Sequence, residues 1–129
     1  MGRKLEEVWK EIKNEYKRKV STPEVRYWMR LKLRSWLRKK EKGAPIKNRY
    51  IDVLIASLIL WKKGFFITYE LVMNLCYKKK PGAFQSARNV LLQLTSYKIF
   101  DVVKERKRKI RFFQFSPDFI SFIQSEFPK

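Results

Sequence analysis

Four arginines recur at every fourth position: Arg26, Arg30, Arg34 and Arg38. On a helix each such step drifts by about 40°, so the four span about 120° of arc and about 18 Å of axis. Arginine forks onto phosphate oxygens through two parallel N–H bonds, which lysine cannot do. A ridge of this length suits phosphate neutralisation along a polyanion. Its plainer use is a solvated helix face. Two further basic runs stand apart from it. One is Lys78-Lys79-Lys80. The other covers residues 104–109, where Lys104, Arg106, Lys107, Arg108 and Lys109 make five positive residues in six.

The totals agree with this chemistry and exclude most others. The 129 residues hold 31 Lys and Arg against 12 Asp and Glu, a net charge of +19. With 45% apolar and 16% aromatic residues, the chain is too hydrophobic for a disordered basic tail. Its charge therefore lies on something that folds, and such a field attracts polyanions. There is no His and a single cysteine, Cys76. Ser-His-Asp and Cys-His nucleophiles are excluded, as are zinc sites built on His or on several cysteines. Cys76 follows Leu75 in an apolar stretch and reads as a buried structural thiol. No phosphate-binding glycine loop and no dinucleotide fingerprint are present. The expectation is a protein without catalysis, cofactor or metal.

Targeting signals are equally sparse. Residues 1–10 include Glu6 and Glu7 and no apolar signal-peptide region. The longest apolar run, residues 53–61, is far shorter than the ~20 residues of a bilayer span. The expected setting is cytoplasmic and free of membrane. High Lys, Glu and Arg with little Gln and Cys resembles thermophile usage.

The positioning elements follow from periodicity. Leu5, Val8, Trp9, Ile12, Tyr16 and Val20 share one face of a helix over 4–20. Ser21-Thr22-Pro23-Glu24 starts a second helix, with Ser21 as cap and Glu24 reaching back, that runs to about Lys40. Its apolar side is Val25, Met29, Leu33, Trp36 and Leu37, beside the arginine ridge and Tyr27. Lys42-Gly43-Ala44-Pro45 is the clearest break, dividing a basic helical part (1–44) from the remainder (45–129).

From Arg49 to Lys63 the chain is apolar nearly all round, the mark of a buried helix stopped by Gly64. Phe65-Phe66-Ile67 is a short β-like run, and Thr68 can cap a helix over 69–76. A basic turn with Pro81-Gly82 leads to a helix over 83–96. Residues 99–103 and 110–115 are β-rich and flank the basic tip. Ser116-Pro117-Asp118 opens a last helix with Phe119, Ile120, Ile123 and Phe127 on one side. The fold class is thus mostly α with a small β-hairpin, α+β.

The order helix, short strand, helix, basic turn, helix, strand, basic tip, strand resembles the winged helix-turn-helix family of DNA-binding domains. The resemblance covers about residues 46–115, with Ala87, Val90, Leu91, Leu94 and Ile99 as its apolar frame. It implies a winged helix preceded by a helical hairpin and followed by a C-terminal helix. It also implies that 83–96 is the recognition helix and 104–109 the wing. Gln85, Ser86, Arg88, Asn89 and Gln93 would face the major groove, where Arg can fork to guanine and Asn or Gln can pair with adenine. Lys78, Lys79 and Lys80 would meet phosphates near the helix start. Two features depart from the family. Ser96-Tyr97-Lys98 replaces the usual glycine, so either Lys98 takes a left-handed backbone or the turn differs. The wing tip also lacks Gly, Asn or Pro.

An enzymatic reading fails on spacing. Asp101, Glu105 and Lys107 share residue types with the Asp and Glu-x-Lys sets of a class of magnesium nucleases. Four residues along one hairpin, however, place the two carboxylates poorly for a shared metal. The expected function is non-enzymatic binding of double-stranded DNA, in transcription regulation, replication or DNA packaging. The alternative is a winged-helix adaptor that contacts a polymerase or another replication or transcription component. A homodimer through the N- or C-terminal helices is a further expectation. Single-strand binding would need exposed platforms, for which Tyr27, Tyr97 and Phe113 are the candidates.

Overall fold

Ten residues of one helix are buried because neighbours cover it on every side. In a computed structural model that describes residues 5–77, 81–104 and 110–126, this helix is α3 (Asn48–Lys62). Around it stand α1 (Leu5–Val20), α2 (Pro23–Lys39), α4 (Tyr69–Cys76) and α5 (Ala83–Ser96). Strands β1 (Phe100–Lys104) and β2 (Ile110–Phe115) pair antiparallel, and α6 (Pro117–Glu126) follows. The mostly helical α+β class expected from periodicity is observed, with one two-stranded sheet among the described residues.

Each helix has a local cause. Glu6 and Glu7 open α1, and Lys17, Arg18 and Lys19 close it, so charge opposes the helix dipole at both ends. Ile12 and Tyr16 carry its apolar face into the core. The start of α2 differs from expectation. Thr22, not Ser21, is the N-cap, and Pro23 fills the first turn. The Thr22 hydroxyl donates back to the Arg18 carbonyl at 2.7 Å, so it does not cap α2. The proline already removes one of the orphan N–H groups that a cap would satisfy. At α4 the expected cap is present: Thr68 Oγ1 accepts the Leu71 N–H at 3.1 Å.

Three helices end in the same double-bonded turn. After α3, Gly64 takes φ +81°, with its N–H on Trp61 O and the Phe65 N–H on Leu60 O. After α2, Glu41 takes φ +58° and the same two bonds run from Glu41 and Lys42 to Arg38 O and Leu37 O. After α5, Lys98 takes φ +67° and the Ile99 N–H reaches Leu94 O at 3.1 Å. Thus Lys98 does occupy the left-handed position that glycine usually fills. This turn also moves the strand. Ile99 spends its N–H on the cap, so β1 begins at Phe100 and runs to Lys104, one residue later than expected.

The Phe65–Ile67 run contracts for a similar reason. Phe65 is bonded back into the α3 cap and Thr68 begins α4, so Ile67 alone is free to pair. It does so with Phe113, whose N–H donates to Ile67 O at 2.7 Å. Ser116 joins α6 to the α5 turn. Its hydroxyl donates to Lys98 O at 2.8 Å and accepts the Phe119 N–H at 3.2 Å. Phe119 and Ile123 of the expected apolar side are buried and Ile120 is half-buried. Phe127 lies outside the described residues.

One core runs through both parts of the chain. Trp36 of α2 is fully buried and its Nε1–H donates to Tyr97 O at 2.8 Å. Its ring meets the edge of Phe119 at 5.1 Å and tilts against Phe122 at 5.4 Å. The break at 42–45 is therefore a corner in a continuous core that extends from Ile12 to Ile123.

A left-handed backbone costs a residue with a Cβ roughly 1–2 kcal/mol. Lys98→Gly should raise the unfolding free energy by about 0.5–1 kcal/mol after the greater unfolded freedom of glycine is subtracted. Urea denaturation of the two proteins checks this, and a lower midpoint for the variant would contradict it.

Candidate nucleic-acid interface

α5 divides into two sides along its length. Ala83, Ala87, Leu91 and Leu94 are buried, and Val90 is half-buried. Gln85, Ser86, Arg88 and Asn89 are exposed together on the other side. The Gln85 amide donates to Asn89 Oδ1 at 3.0 Å, which holds these two side chains one turn apart. Among the described residues no carboxylate pairs with Arg88. Gln93 is half-buried and stands back from this group. The N-cap is Gly82 at φ +77°, which offers no side-chain acceptor, so the first-turn N–H groups keep their donor capacity.

Lys104 is exposed at the end of β1, where the register with β2 shifts between Val103 and Lys104. Lys78, Lys79, Lys80, Arg106, Lys107, Arg108 and Lys109 lie outside the described residues, as does Glu105. Asp101 is exposed opposite Gln114 on β2. No group of acids or thiols that could hold a metal occurs among the described residues.

The arginine ridge splits in two. Arg26 donates to Asp52 Oδ1 at 2.6 Å, to Val20 O at 3.2 Å and to Asn48 O at 3.3 Å. Arg30 donates to Ile46 O at 2.7 Å and to the Asn48 side-chain carbonyl. Both guanidinium groups are thereby engaged within the protein, tying α2 to the chain that enters α3. Arg34 and Arg38 remain exposed. The cause is the drift of a four-residue repeat: it carries the first two arginines toward α3 and the last two outward.

Asp52 is the acid that sequence reasoning missed. It also meets Arg49 at 3.4 Å, so one carboxylate serves two guanidiniums. Its signal was available, since Asp52 is the one charged residue between Tyr50 and Leu60. Arg49 in turn lies 4.4 Å from the Tyr77 ring centre and donates to Cys76 O at 3.3 Å.

Two of the three aromatic platforms do not materialise. Tyr97 and Phe113 are buried, because one caps α5 against Tyr50 and the other fills the sheet face against Phe100. Tyr27 is 64% exposed as required. Phe66 (62% exposed) and Phe84 (47%) are exposed rings that the sequence did not single out. Phe66 stacks on Phe112 at 4.1 Å, and Phe84 meets the edge of Tyr69 at 5.5 Å at the start of α5.

Cys76 is half-buried rather than fully buried as expected, and it behaves as a structural thiol. Burial pushes it up to about 12, and its Sγ–H points to Asp52 O at 3.8 Å. A thiol held protonated in this way is a poor nucleophile. Burial likewise raises Tyr77 to about 12. No helix of the described residues is long and apolar enough to cross a membrane. Comparison with family models, with curated proteins and with solved structures found no match.

The raised thiol has a stability consequence of fixed sign. Above its ordinary value near 9 the unfolded chain releases the Cys76 proton, while the folded chain holds it to about 12. Stability is full below that window and falls through it. Urea unfolding at about pH 8 and about pH 10.5 should show the loss, with Cys76→Ala losing less than the parent. An equal loss in both would remove Cys76 as the cause. Separately, Asp52→Asn leaves the partly buried Arg26 guanidinium without its anion, while Arg49 is exposed, and should cost about 1–2 kcal/mol in the same assay at neutral pH.

Proposed function

We propose that this protein binds double-stranded DNA without catalysis, through a winged-helix arrangement in which α4 and α5 form the helix pair. α5 enters the major groove and the basic 104–109 segment lies on the backbone. The carrying observation is the exposed Gln85, Ser86, Arg88 and Asn89 edge of a helix whose opposite side is buried. These side chains are of the types that read base edges, and Arg88 has no carboxylate partner among the described residues. Two further features support the reading. The order α3, Ile67, α4, α5, β1, β2 resembles that of a winged helix, with the Ile67–Phe113 bridge in the place of its first strand. The uncapped start of α5 offers N–H donors to a phosphate, next to the lysine run at 78–80.

Affinity comes mainly from counterion release, as the net charge of +19 implies. Selectivity comes from α5 and is modest. Transcription regulation, replication and DNA packaging are all compatible roles for such a module.

If six to ten phosphates are neutralised, log affinity for a duplex should fall with log salt at a slope of roughly −5 to −9. A slope shallower than about −2 would sink the proposal. Gel-shift competition with unrelated duplexes separates the contributions. Arg88→Ala should reduce discrimination between sites by about tenfold. Replacing Arg106 and Arg108 together should weaken all duplexes alike and reduce the salt slope by about two. If neither change alters duplex binding, the assignment of α5 and its neighbouring segment is wrong.

A further inference from the structure

We propose that the cleft between the C-terminal half of α2 and the loop at 41–46 binds a phosphate monoester with an apolar body. The cleft is an open groove of about 560 Å³, a volume within the range of small-ligand sites. Arg30, Arg34, Arg38 and Lys42 line it, against one acid, Glu41. Among the described residues no carboxylate pairs with Arg34 or Arg38. Their guanidinium forks are therefore available for an incoming phosphate.

The rest of the cleft is shaped for such a group. Arg30 is fixed by Ile46 O at 2.7 Å and by Asn48, so it supplies a positioned positive charge rather than a fork. The carbonyls at the end of α2 would repel an anion if free. Two of them are bonded, Arg38 O by the Glu41 N–H at 3.1 Å and Leu37 O by the Lys42 N–H at 2.8 Å. Leu37 and Pro45 contribute an apolar wall beside the cations. An inorganic anion would leave that wall unused, and a duplex passing over an open ridge would not enter the cleft. A phosphate at the end of an organic body uses both.

Two sources share this chemistry: a free nucleotide, and the phosphorylated end of a nucleic acid strand. Titration calorimetry at about 0.15 M salt, where distant charges are screened, separates them from a general field effect. Adenosine 5′-monophosphate should bind one-to-one and saturably, with adenosine at least about tenfold weaker. The pair Arg34→Gln and Arg38→Gln should weaken binding about tenfold or more. The pair Lys13→Gln and Lys17→Gln removes the same charge from the exposed side of α1 and should change it less than about threefold.

A duplex with a 5′-phosphate is then compared with its 5′-hydroxyl twin. If the phosphate strengthens binding and the arginine pair abolishes the difference, the source is a strand end. If the twins bind alike while the nucleotide saturates, the source is a free ester. No saturable nucleotide binding together with no effect of the end phosphate overturns the proposal. So does an equal loss in the two double variants, which would leave only the general positive field. The site stands apart from the duplex reading: Arg88 does not line the cleft, so Arg88→Ala should leave nucleotide binding unchanged.

Discussion

An indole N–H taken out of water costs free energy unless it finds an acceptor, and Trp36 finds Tyr97 O at 2.8 Å. That bond crosses from the basic helical hairpin to the end of α5. The ring around it meets Phe119 and Phe122 of α6, and the Lys40 ammonium closes over it at 4.7 Å. Three segments distant in sequence therefore converge on one side chain. The left-handed turn at Lys98 is part of the same junction. It presents Tyr97 O to the indole, Ile99 N–H to α5 and Lys98 O to Ser116. The indole thus adds a distant anchor at α5 and α6 to a hairpin that already packs on α3.

The second constraint is charge. A chain with 31 basic and 12 acidic residues must place its few carboxylates where they hold cations inward, or self-repulsion opposes the fold. Asp52 meets this demand at the junction of α2, α3 and α4 by serving Arg26 and Arg49 together. Arg30 is held without any carboxylate, on a backbone carbonyl and an amide. Arg34, Arg38 and Arg88 are among the described cations left without a carboxylate and open to an outside anion.

Much of this was legible from residue patterns. The bounds of α5 and β2, the Thr68 cap and the all-round burial of α3 follow from local chemistry acting over one or two turns, whereas the left-handed Lys98 was one of two outcomes that the family resemblance implied. What was not legible depends on partners far away in the chain. The arginine spacing is a property of one helix, but the fate of Arg26 depends on Asp52, 26 residues later. Tyr97 and Phe113 look like surface aromatics until the sheet and α5 close over them. The shortened run at Ile67 likewise reflects two caps that compete for its neighbours. For the candidate interface, the polar edge of α5 was readable because helical periodicity alone divides buried from exposed. The cleft at the end of α2 was not, since it needs a loop folded back against the helix.

The Trp36–Tyr97 bond joins residues 61 positions apart. Synthesis proceeds from the N-terminus at about 5–20 residues per second, so Trp36 precedes its acceptor by roughly 3 to 12 seconds. Early in that interval, before α3 is made, α1 and α2 have their apolar faces open. The 15 basic residues at positions 1–44 repel other chains of the same kind and are attracted to the polyanionic RNA of the ribosome itself. That charge shelters the half-made chain, whose apolar seam is covered first by α3 and completed at Trp36 only when α6 has emerged.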